Sequence, residues 1–94
     1  MSDPLRIGIV GSKFAASFHM ECYVRLGRDL AAVAGVFSET PENCDAFARK
    51  FEITPFGSFE ELIGAVDVVD ICTPGYVHEE YSVKVARAGK HVIV

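Results

Sequence analysis

The sequence predicts an α/β fold: a doubly wound parallel sheet of about five strands with helices on both faces. Short apolar runs rich in Val and Ile alternate with amphipathic stretches along the 94 residues. The connections between them are short, and such alternation is typical of parallel strands joined by right-handed helical crossovers. One run, LAAVAGVF, is apolar almost throughout, as a strand covered on both faces would be. The length corresponds to one small domain.

The first strand and helix are predicted from composition and spacing. Leu5–Val10 is too short for a helix and is rich in Ile and Val, which favours a strand. The stretch from Phe14 to Leu26 is predicted to be a helix that ends at a Gly27 cap. Its apolar side chains recur at helical spacing, at Ala15, Phe18, Cys22 and Leu26.

The second strand is predicted over Leu30–Phe37, and the second helix begins after it. Thr40 is expected to cap this helix, with Pro41 at its first position, and the helix runs to about Phe51. Its buried side chains are expected to be Cys44, Phe47, Ala48 and Phe51.

The remaining elements follow from turn and capping signals. Ile53–Phe56 is predicted to be extended, and Ser58 with Glu61 forms a capping box for a brief helix that ends near Gly64. The last predicted elements are a strand over Val66–Cys72, a helix over Tyr76–Ala88 capped by Gly89, and a strand over His91–Val94. The whole order is that of a Rossmann-like fold.

Charge and composition narrow the function classes. The net charge of −4, without a basic stripe, argues against nucleic acid as a partner. No apolar stretch reaches the length that spans a membrane, and the start lacks the features of a secretory signal. Three cysteines without a C-x-x-C spacing are expected to be reduced thiols. We therefore expect a cytoplasmic protein that binds neither membranes nor nucleic acid.

In a doubly wound sheet, ligands bind beyond the carboxyl ends of the strands. The loop after the first strand begins with Gly11, which allows a tight turn, and leads into a helix N-terminus that favours an anion. Dinucleotide loops usually read G-x-G-x-x-G/A, but Lys13 stands at the second glycine position. This loop alone is equally compatible with a surface turn that binds nothing.

The end of the second strand leaves the choice between NAD and NADP open. Ser38 stands where an NAD-selecting acid is usual, and a serine does not repel the 2′-phosphate of NADP. Against NADP, the next residue is Glu39, and no Arg lies beside it to hold that phosphate. A purely structural alternative is that Ser38 and Thr40 cap the second helix.

A third candidate segment follows the fourth strand. Thr73 offers a hydroxyl there, Pro74 bends the chain, and His78 either donates to a ligand or stabilises the turn. Cys72 has no obvious base nearby and is expected to be a small apolar wall residue, while Tyr76 either shields a ligand or packs on the helix. The histidines, at 19, 78 and 91, have no paired acid at metal-ligand spacing, so no metal site is expected.

Together these segments resemble the Gfo/Idh/MocA oxidoreductases, the group of glucose-fructose oxidoreductase and inositol dehydrogenase, from about Leu5 to Val94. The resemblance depends on the Gly11 loop with Phe14-Ala15 and His19, on DVVDICTP over residues 67–74 with His78, and on AGKHV over residues 88–92. It implies an NAD(P)-binding domain of an enzyme that passes hydride between a nicotinamide and a sugar, polyol or related alcohol.

The resemblance also implies which residues bind the cofactor. The pyrophosphate would contact residues 11–15, which are Gly11, Ser12, Lys13, Phe14 and Ala15. The adenosine ribose would contact Ser38, Glu39 and Thr40. The nicotinamide side would be formed by Thr73 and Pro74, together with Tyr76 and His78, and the preceding Cys72 is also counted among the cofactor-binding residues. The chain departs from the family pattern at Lys13, at Ser38, and at Gly75, where an Asn is usual.

The resemblance further implies that residues 1–94 are an incomplete domain. Family members continue into Glu-Lys-Pro, whose lysine assists proton transfer, and then into a substrate domain, so no catalytic residue is expected here. The alternative is a non-catalytic nucleotide-binding or interaction module. The last strand, HVIV, would expose an unpaired edge, and we expect a homo-oligomer or other self-association.

Overall fold

The computed structural model describes residues 4–27, 29–73 and 78–94. It confirms the predicted alternation of strands and helices. The elements are β1 Leu5–Val10, α1 Phe14–Leu26, β2 Ala31–Phe37, α2 Pro41–Phe51, β3 Thr54–Pro55, α3 Phe59–Ala65, β4 Val68–Ile71, α4 His78–Arg87 and β5 His91–Ile93. In the part of the chain that the structure describes, no helix has the length and apolar character needed to cross a membrane.

The five strands form one parallel sheet in the order β3-β2-β1-β4-β5. β1 lies at the centre, so the chain winds outward to one edge through β2 and β3 and then to the other through β4 and β5. The winding reverses between β1 and β4, and the carboxyl ends of β1, β2 and β4 lie side by side. This reversal is where such sheets leave a crevice for a ligand.

Helices cover both faces of the sheet, as the sequence predicts. On one face Ile9 and Val36 pack against α1 and α2, whose Phe47 is buried with them. On the other face Val10 and neighbouring strand residues pack against α3 and α4, where Leu62 is fully buried. The alternation of Ile9 and Val10 between the two faces follows from the two-residue period of a strand.

Gly35 allows β3 to pair with β2. A Cβ atom at this position would lie 2.3 Å from the Thr54 carbonyl oxygen and 2.5 Å from the Phe56 ring. Those separations are far inside van der Waals contact, so any side chain would push the edge strand away.

The predicted ends of several elements shift by one or two residues. β2 begins at Ala31, α3 ends at Ala65, and β4 is only four residues long. β4 starts late because Val66 still forms the C-terminal cap of α3. The predicted start of α4 at Tyr76 lies outside the described residues, which resume with His78.

The buried face of α1 is not the one that the apolar spacing indicates. Phe18 and Leu26 are 57% and 53% exposed, and Ala15 and Cys22 are also exposed. The side chains that α1 buries fully are Ala16 and Met20, flanked by the half-buried His19 and Tyr23. The helix is oriented this way because His19 and Tyr23 bond to a buried carboxylate of β4, described below.

Both predicted N-terminal caps lie at their predicted positions, but only Ser58 makes the capping hydrogen bond. The Ser58 hydroxyl accepts a hydrogen bond from the Glu61 amide at 3.1 Å, and Glu61 accepts in turn from the Gly57 amide. Thr40 occupies the N-cap position of α2, but its side chain makes no capping hydrogen bond. The nearby Ser38 hydroxyl instead accepts a long bond, 3.4 Å, from the Thr40 amide.

Candidate functional site

A cavity of about 210 Å³ lies at the carboxyl ends of β1, β2 and β4. The three loops singled out in the sequence all contribute to it, so segments distant in sequence form one site. Its lining residues are Gly11, Ser12, Lys13, Ser38, Glu39, Thr40, Asn43, Cys72, Thr73 and Tyr81.

Gly11 holds the three strand ends together. Its amide donates a 2.8 Å hydrogen bond to the Phe37 carbonyl at the end of β2. Its φ is +114°, and a Cβ atom there would lie 3.0 Å from the carbonyl oxygen of Cys72, just past β4. Glycine adopts such a φ readily, whereas residues with a Cβ rarely do. The predicted tight turn is therefore present, and the loop passes against the backbone of β4's end.

The N-terminus of α1 presents positive charge beside the cavity. Lys13 occupies the N-cap position without a capping side-chain bond, and no acidic residue lies in the first turn. The helices α2, α3 and α4 each carry at least one Glu in their first turn. Acidic side chains in the first turn neutralise the positive end of the helix dipole. Because α1 has no acidic side chain there, its N-terminus is suited to bind an anion.

Two serines join the first loop to the end of β2. The Ser12 hydroxyl donates a 3.0 Å hydrogen bond to the Ser38 hydroxyl. Each retains hydrogen-bonding capacity, since a hydroxyl can donate once and accept twice. This half-buried pair forms a neutral polar wall of the cavity.

Glu39 and Tyr81 form a contact that the sequence does not indicate. The Tyr81 hydroxyl donates a 2.7 Å hydrogen bond to Glu39 Oε1, although the residues are 42 positions apart. Tyr81 is only 6% exposed, and its ring centre lies 4.5 Å from that of Phe59. Burial, followed by the nearby Glu39, raises the pKa of Tyr81, so it stays a neutral donor.

Asn43 is the other lining residue that sequence reasoning missed. It lies in the first turn of α2, three residues after Thr40. That spacing on a helix is the only sequence signal that could have found it, because residues three apart share one face. Tyr81 has no comparable signal.

Asp70 is the centre of a buried hydrogen-bond network beside the cavity. Its side chain is fully buried on β4, and its Oδ2 lies 2.7 Å from His19 Nδ1. The Tyr23 hydroxyl donates to the same oxygen at 2.6 Å, and the Cys72 thiol donates to Oδ1 at 3.4 Å. The search for an acid at metal-ligand spacing along the sequence did not find this pairing, because it joins residues 51 positions apart.

Cys72 was expected to be a small apolar wall residue, but its thiol contacts polar side chains. Its Sγ lies 3.4 Å from His19 Nδ1, so the expectation that no base lies nearby is also wrong. Burial, followed by the charge of Asp70, raises the pKa of the Cys72 thiol and keeps it protonated. His19 is already bonded to Asp70, and a protonated thiol is a poor nucleophile.

The same three side chains have the donor types of a metal site. The ligand atoms of His19, Asp70 and Cys72 lie within 4.8 Å of one another. Hydrogen bonds within the group already account for this close approach, since the carboxylate accepts from its neighbours. We interpret the group as a structural network.

Two of the predicted site residues that the structure describes in full, Phe14 and Ala15, are not among the lining residues of the cavity. Phe14 and Ala15 lie beside it in the first turn of α1, and Phe14 is 84% exposed. Pro74 and Tyr76 lie outside the described residues. His78 is described by its backbone as the first residue of α4.

The fold and the crevice define a nucleotide-binding α/β domain, and comparison with known proteins identifies its family. Residues 5–94 match the model of the GFO_IDH_MocA oxidoreductase family, NAD-binding Rossmann fold. The chain belongs to this family, and the match lies in the family's NAD-binding Rossmann fold, as the sequence resemblance implied.

Individual relatives agree with this assignment. The chain is 36% identical over 89 residues to inositol 2-dehydrogenase of Cereibacter sphaeroides, covering 92% of this chain and 26% of that protein. It superposes on the WlbA dehydrogenase of Bordetella pertussis, in complex with NADH and UDP-GlcNAcA, with a TM-score of 0.89 and 26% identity. That match covers 97% of this chain and 28% of the other.

A further structural neighbour contains the phosphorylated cofactor. Biliverdin reductase of Synechocystis sp. PCC 6803, in complex with biliverdin and NADP⁺, has a TM-score of 0.83 and 32% identity. The match covers 95% of this chain and 28% of that one. The chain spans roughly a quarter of the length of the relatives it matches, between 21% and 28% among those of known name.

Proposed function

We propose that residues 1–94 are the cofactor-binding portion of an oxidoreductase that transfers hydride between a nicotinamide and a sugar, polyol or related alcohol. The observation that carries the proposal is the crevice at the strand-order reversal, which the three predicted loops line together. The residues fit a dinucleotide: Gly11 keeps the loop close to the sheet, and the acid-free start of α1 suits a pyrophosphate. The cofactor itself supplies the hydride chemistry.

The proposed contacts follow the three loops. We assign the pyrophosphate to the loop and first turn over residues 11–15, and the adenosine ribose to Ser38, Glu39 and Thr40. The nicotinamide end is assigned to Cys72 and Thr73, with Pro74, Tyr76 and His78 included from the family resemblance. We add Asn43 and Tyr81 because they line the same cavity.

Substrate binding is proposed to lie outside residues 1–94. The matched relatives are about four times longer, and two of those with informative names are dehydrogenases of inositol and of UDP-N-acetylglucosamine. We infer that a further domain holds the alcohol and supplies the proton-transferring lysine that the resemblance implies. No catalytic residue is assigned within this chain.

Calorimetric titration of the chain with NAD⁺ and NADP⁺ tests the proposed function. We expect weak but measurable binding of at least one dinucleotide. Replacing Lys13 with Gly should make the affinity less dependent on salt concentration, because Lys13 is a lining residue of the cavity and carries a positive charge. The absence of heat with either cofactor at millimolar concentration would contradict the proposal. An unchanged salt dependence in K13G would show that Lys13 does not contact the phosphates.

We also propose that the chain self-associates through the β5 edge. β5 pairs only with β4 in the described sheet, and Val92, Ile93 and Val94 are 39%, 40% and 67% exposed. An apolar strand edge favours pairing with another strand. Light scattering at increasing concentration should show a rising mean mass, and Val92→Lys should reduce it. A constant monomer mass would contradict the proposal.

The remaining expectations on cellular context are proposals of the same kind. We place the protein in the cytoplasm, with no membrane or nucleic-acid partner. The scattered cationic residues and the net charge of −4 support the latter. The cysteines of the described residues are all free thiols, which is consistent with a reducing compartment.

A further inference from the structure

We propose that this cavity selects NAD over NADP, and that Glu39, held in place by Tyr81, makes the selection. The inference rests on the proposed function, because it concerns the same dinucleotide cavity. The sequence left the preference open, since Ser38 and Glu39 indicate different cofactors. The contact between α4 and the end of β2 decides between them.

The position of Glu39 brings it to the adenosine ribose. β2 ends at Phe37, and the residues just after this strand meet the ribose 2′-position in dinucleotide-binding sheets. Ser38 is neutral, and its hydroxyl already accepts from Ser12 Oγ and from the Thr40 amide, so its own O–H is left to donate to a ribose oxygen without repelling a phosphate. The negative charge at this end of the cavity therefore comes from Glu39, which also lines it.

Tyr81 gives this exposed carboxylate a fixed place. An exposed Glu usually samples many rotamers, and its charge is then spread over a wide volume. Here one oxygen accepts the 2.7 Å bond from a tyrosine that is buried and packed on Phe59. The other carboxylate oxygen can accept from a ribose hydroxyl, because a carboxylate accepts through both oxygens.

The positive charge of Lys13 does not reverse the preference for NAD over NADP. Lys13 is the one cationic residue among the described lining residues, and it belongs to the pyrophosphate loop. NAD and NADP carry the same charge at the pyrophosphate, so Lys13 strengthens both equally. Only the 2′-phosphate, with close to two negative charges, distinguishes them, and Glu39 repels it.

A groove beside the cavity offers a different position for the 2′-phosphate of NADP. Lys13 and Lys50 line it together with Ser12, Ser17 and Asn43. A 2′-phosphate that reached both lysines there would be attracted, and NADP would then bind at least as tightly as NAD. The following experiment distinguishes this outcome from the proposed one.

Calorimetry compares NAD⁺ with NADP⁺, and 5′-AMP with adenosine 2′,5′-bisphosphate, on the full chain. Each pair differs only by the 2′-phosphate. We expect NAD⁺ to bind about tenfold more tightly than NADP⁺ at low salt, and Glu39→Gln to bring the two within about threefold. The glutamine keeps an acceptor for Tyr81, so folding should be preserved, as circular dichroism would verify.

Two further variants distinguish the effect of the fixed position of Glu39 from the effect of a negative charge alone. Tyr81→Phe keeps the ring on Phe59 but releases Glu39, and it should lower the NAD preference partway. Glu42→Gln makes the same charge change on the exposed first turn of α2, outside the cavity lining, and should leave the preference unchanged. Added salt should weaken the preference in the unaltered chain, because the repulsion is screened.

The possible results have distinct meanings. NADP⁺ binding as tightly as NAD⁺ in the unaltered chain, or a preference that survives Glu39→Gln, would overturn the inference and leave the proposed function intact. An equal loss of preference in Glu42→Gln would overturn the role of Glu39. Failure of both dinucleotides to bind would overturn the proposed function itself.

Discussion

Replacing Asp70 with Ala is expected to lower the free energy of unfolding by about 3 kcal/mol. The carboxylate is fully buried and accepts from Tyr23, Cys72 and the His19 ring. Its removal takes away the acceptor for these groups and leaves space behind. For a chain of this size the loss corresponds to a decrease in Tm of roughly 15 °C.

Urea unfolding followed by circular dichroism measures this effect, and two variants calibrate it. Tyr23→Phe removes a single donor from the network and should cost about 1 kcal/mol. Asp45→Ala removes an exposed carboxylate from α2 and should change stability by less than about 0.5 kcal/mol. An unfolding midpoint of Asp70→Ala equal to that of Asp45→Ala would show that the network contributes nothing to stability.

The Asp70 network also explains which features of the fold the sequence could predict. The order of the elements follows from local composition, and strands such as Leu5–Val10 were predicted to the residue. The buried face of α1 was not, because the spacing of Phe18 and Leu26 is a local signal. The actual orientation is set by bonds from His19 and Tyr23 to Asp70, about 50 positions away. Periodicity contains no information on such a pairing.

The candidate site also contains some residues that the sequence predicted and others that it did not. The loops at Gly11 and Ser38 were predicted because the ends of parallel strands meet at one edge of a sheet. Tyr81 was not, since it reaches the cavity from the face of α4 and its hydroxyl meets Glu39 across the crevice. Thr40 occupies its predicted N-cap position, but its side chain makes no capping hydrogen bond. Whether a side chain at an N-cap position makes the bond depends on its geometry, which the sequence does not contain.

Replacing Gly11 with Ala is expected to impair stability and cofactor binding together. The φ of +114° is unfavourable for any residue with a Cβ, and this Cβ would lie 3.0 Å from the Cys72 carbonyl oxygen. We expect a loss of about 2 kcal/mol in the free energy of unfolding from the backbone strain. The loop must also move away from the end of β4. This movement should weaken NAD⁺ binding at least tenfold, about 1.4 kcal/mol of binding free energy, because it displaces the loop that is proposed to contact the pyrophosphate.

Gly64→Ala is the matched control for this change. Gly64 lies within α3, has no strained φ, and a Cβ there would meet nothing within 4 Å. The same added methyl group should therefore raise stability by up to about 1 kcal/mol, because alanine favours helices more than glycine does. Urea unfolding and calorimetric titration of both variants test the pair. If Gly11→Ala bound NAD⁺ as tightly as Gly64→Ala does, the loop that Gly11 holds against β4 would not be the pyrophosphate site.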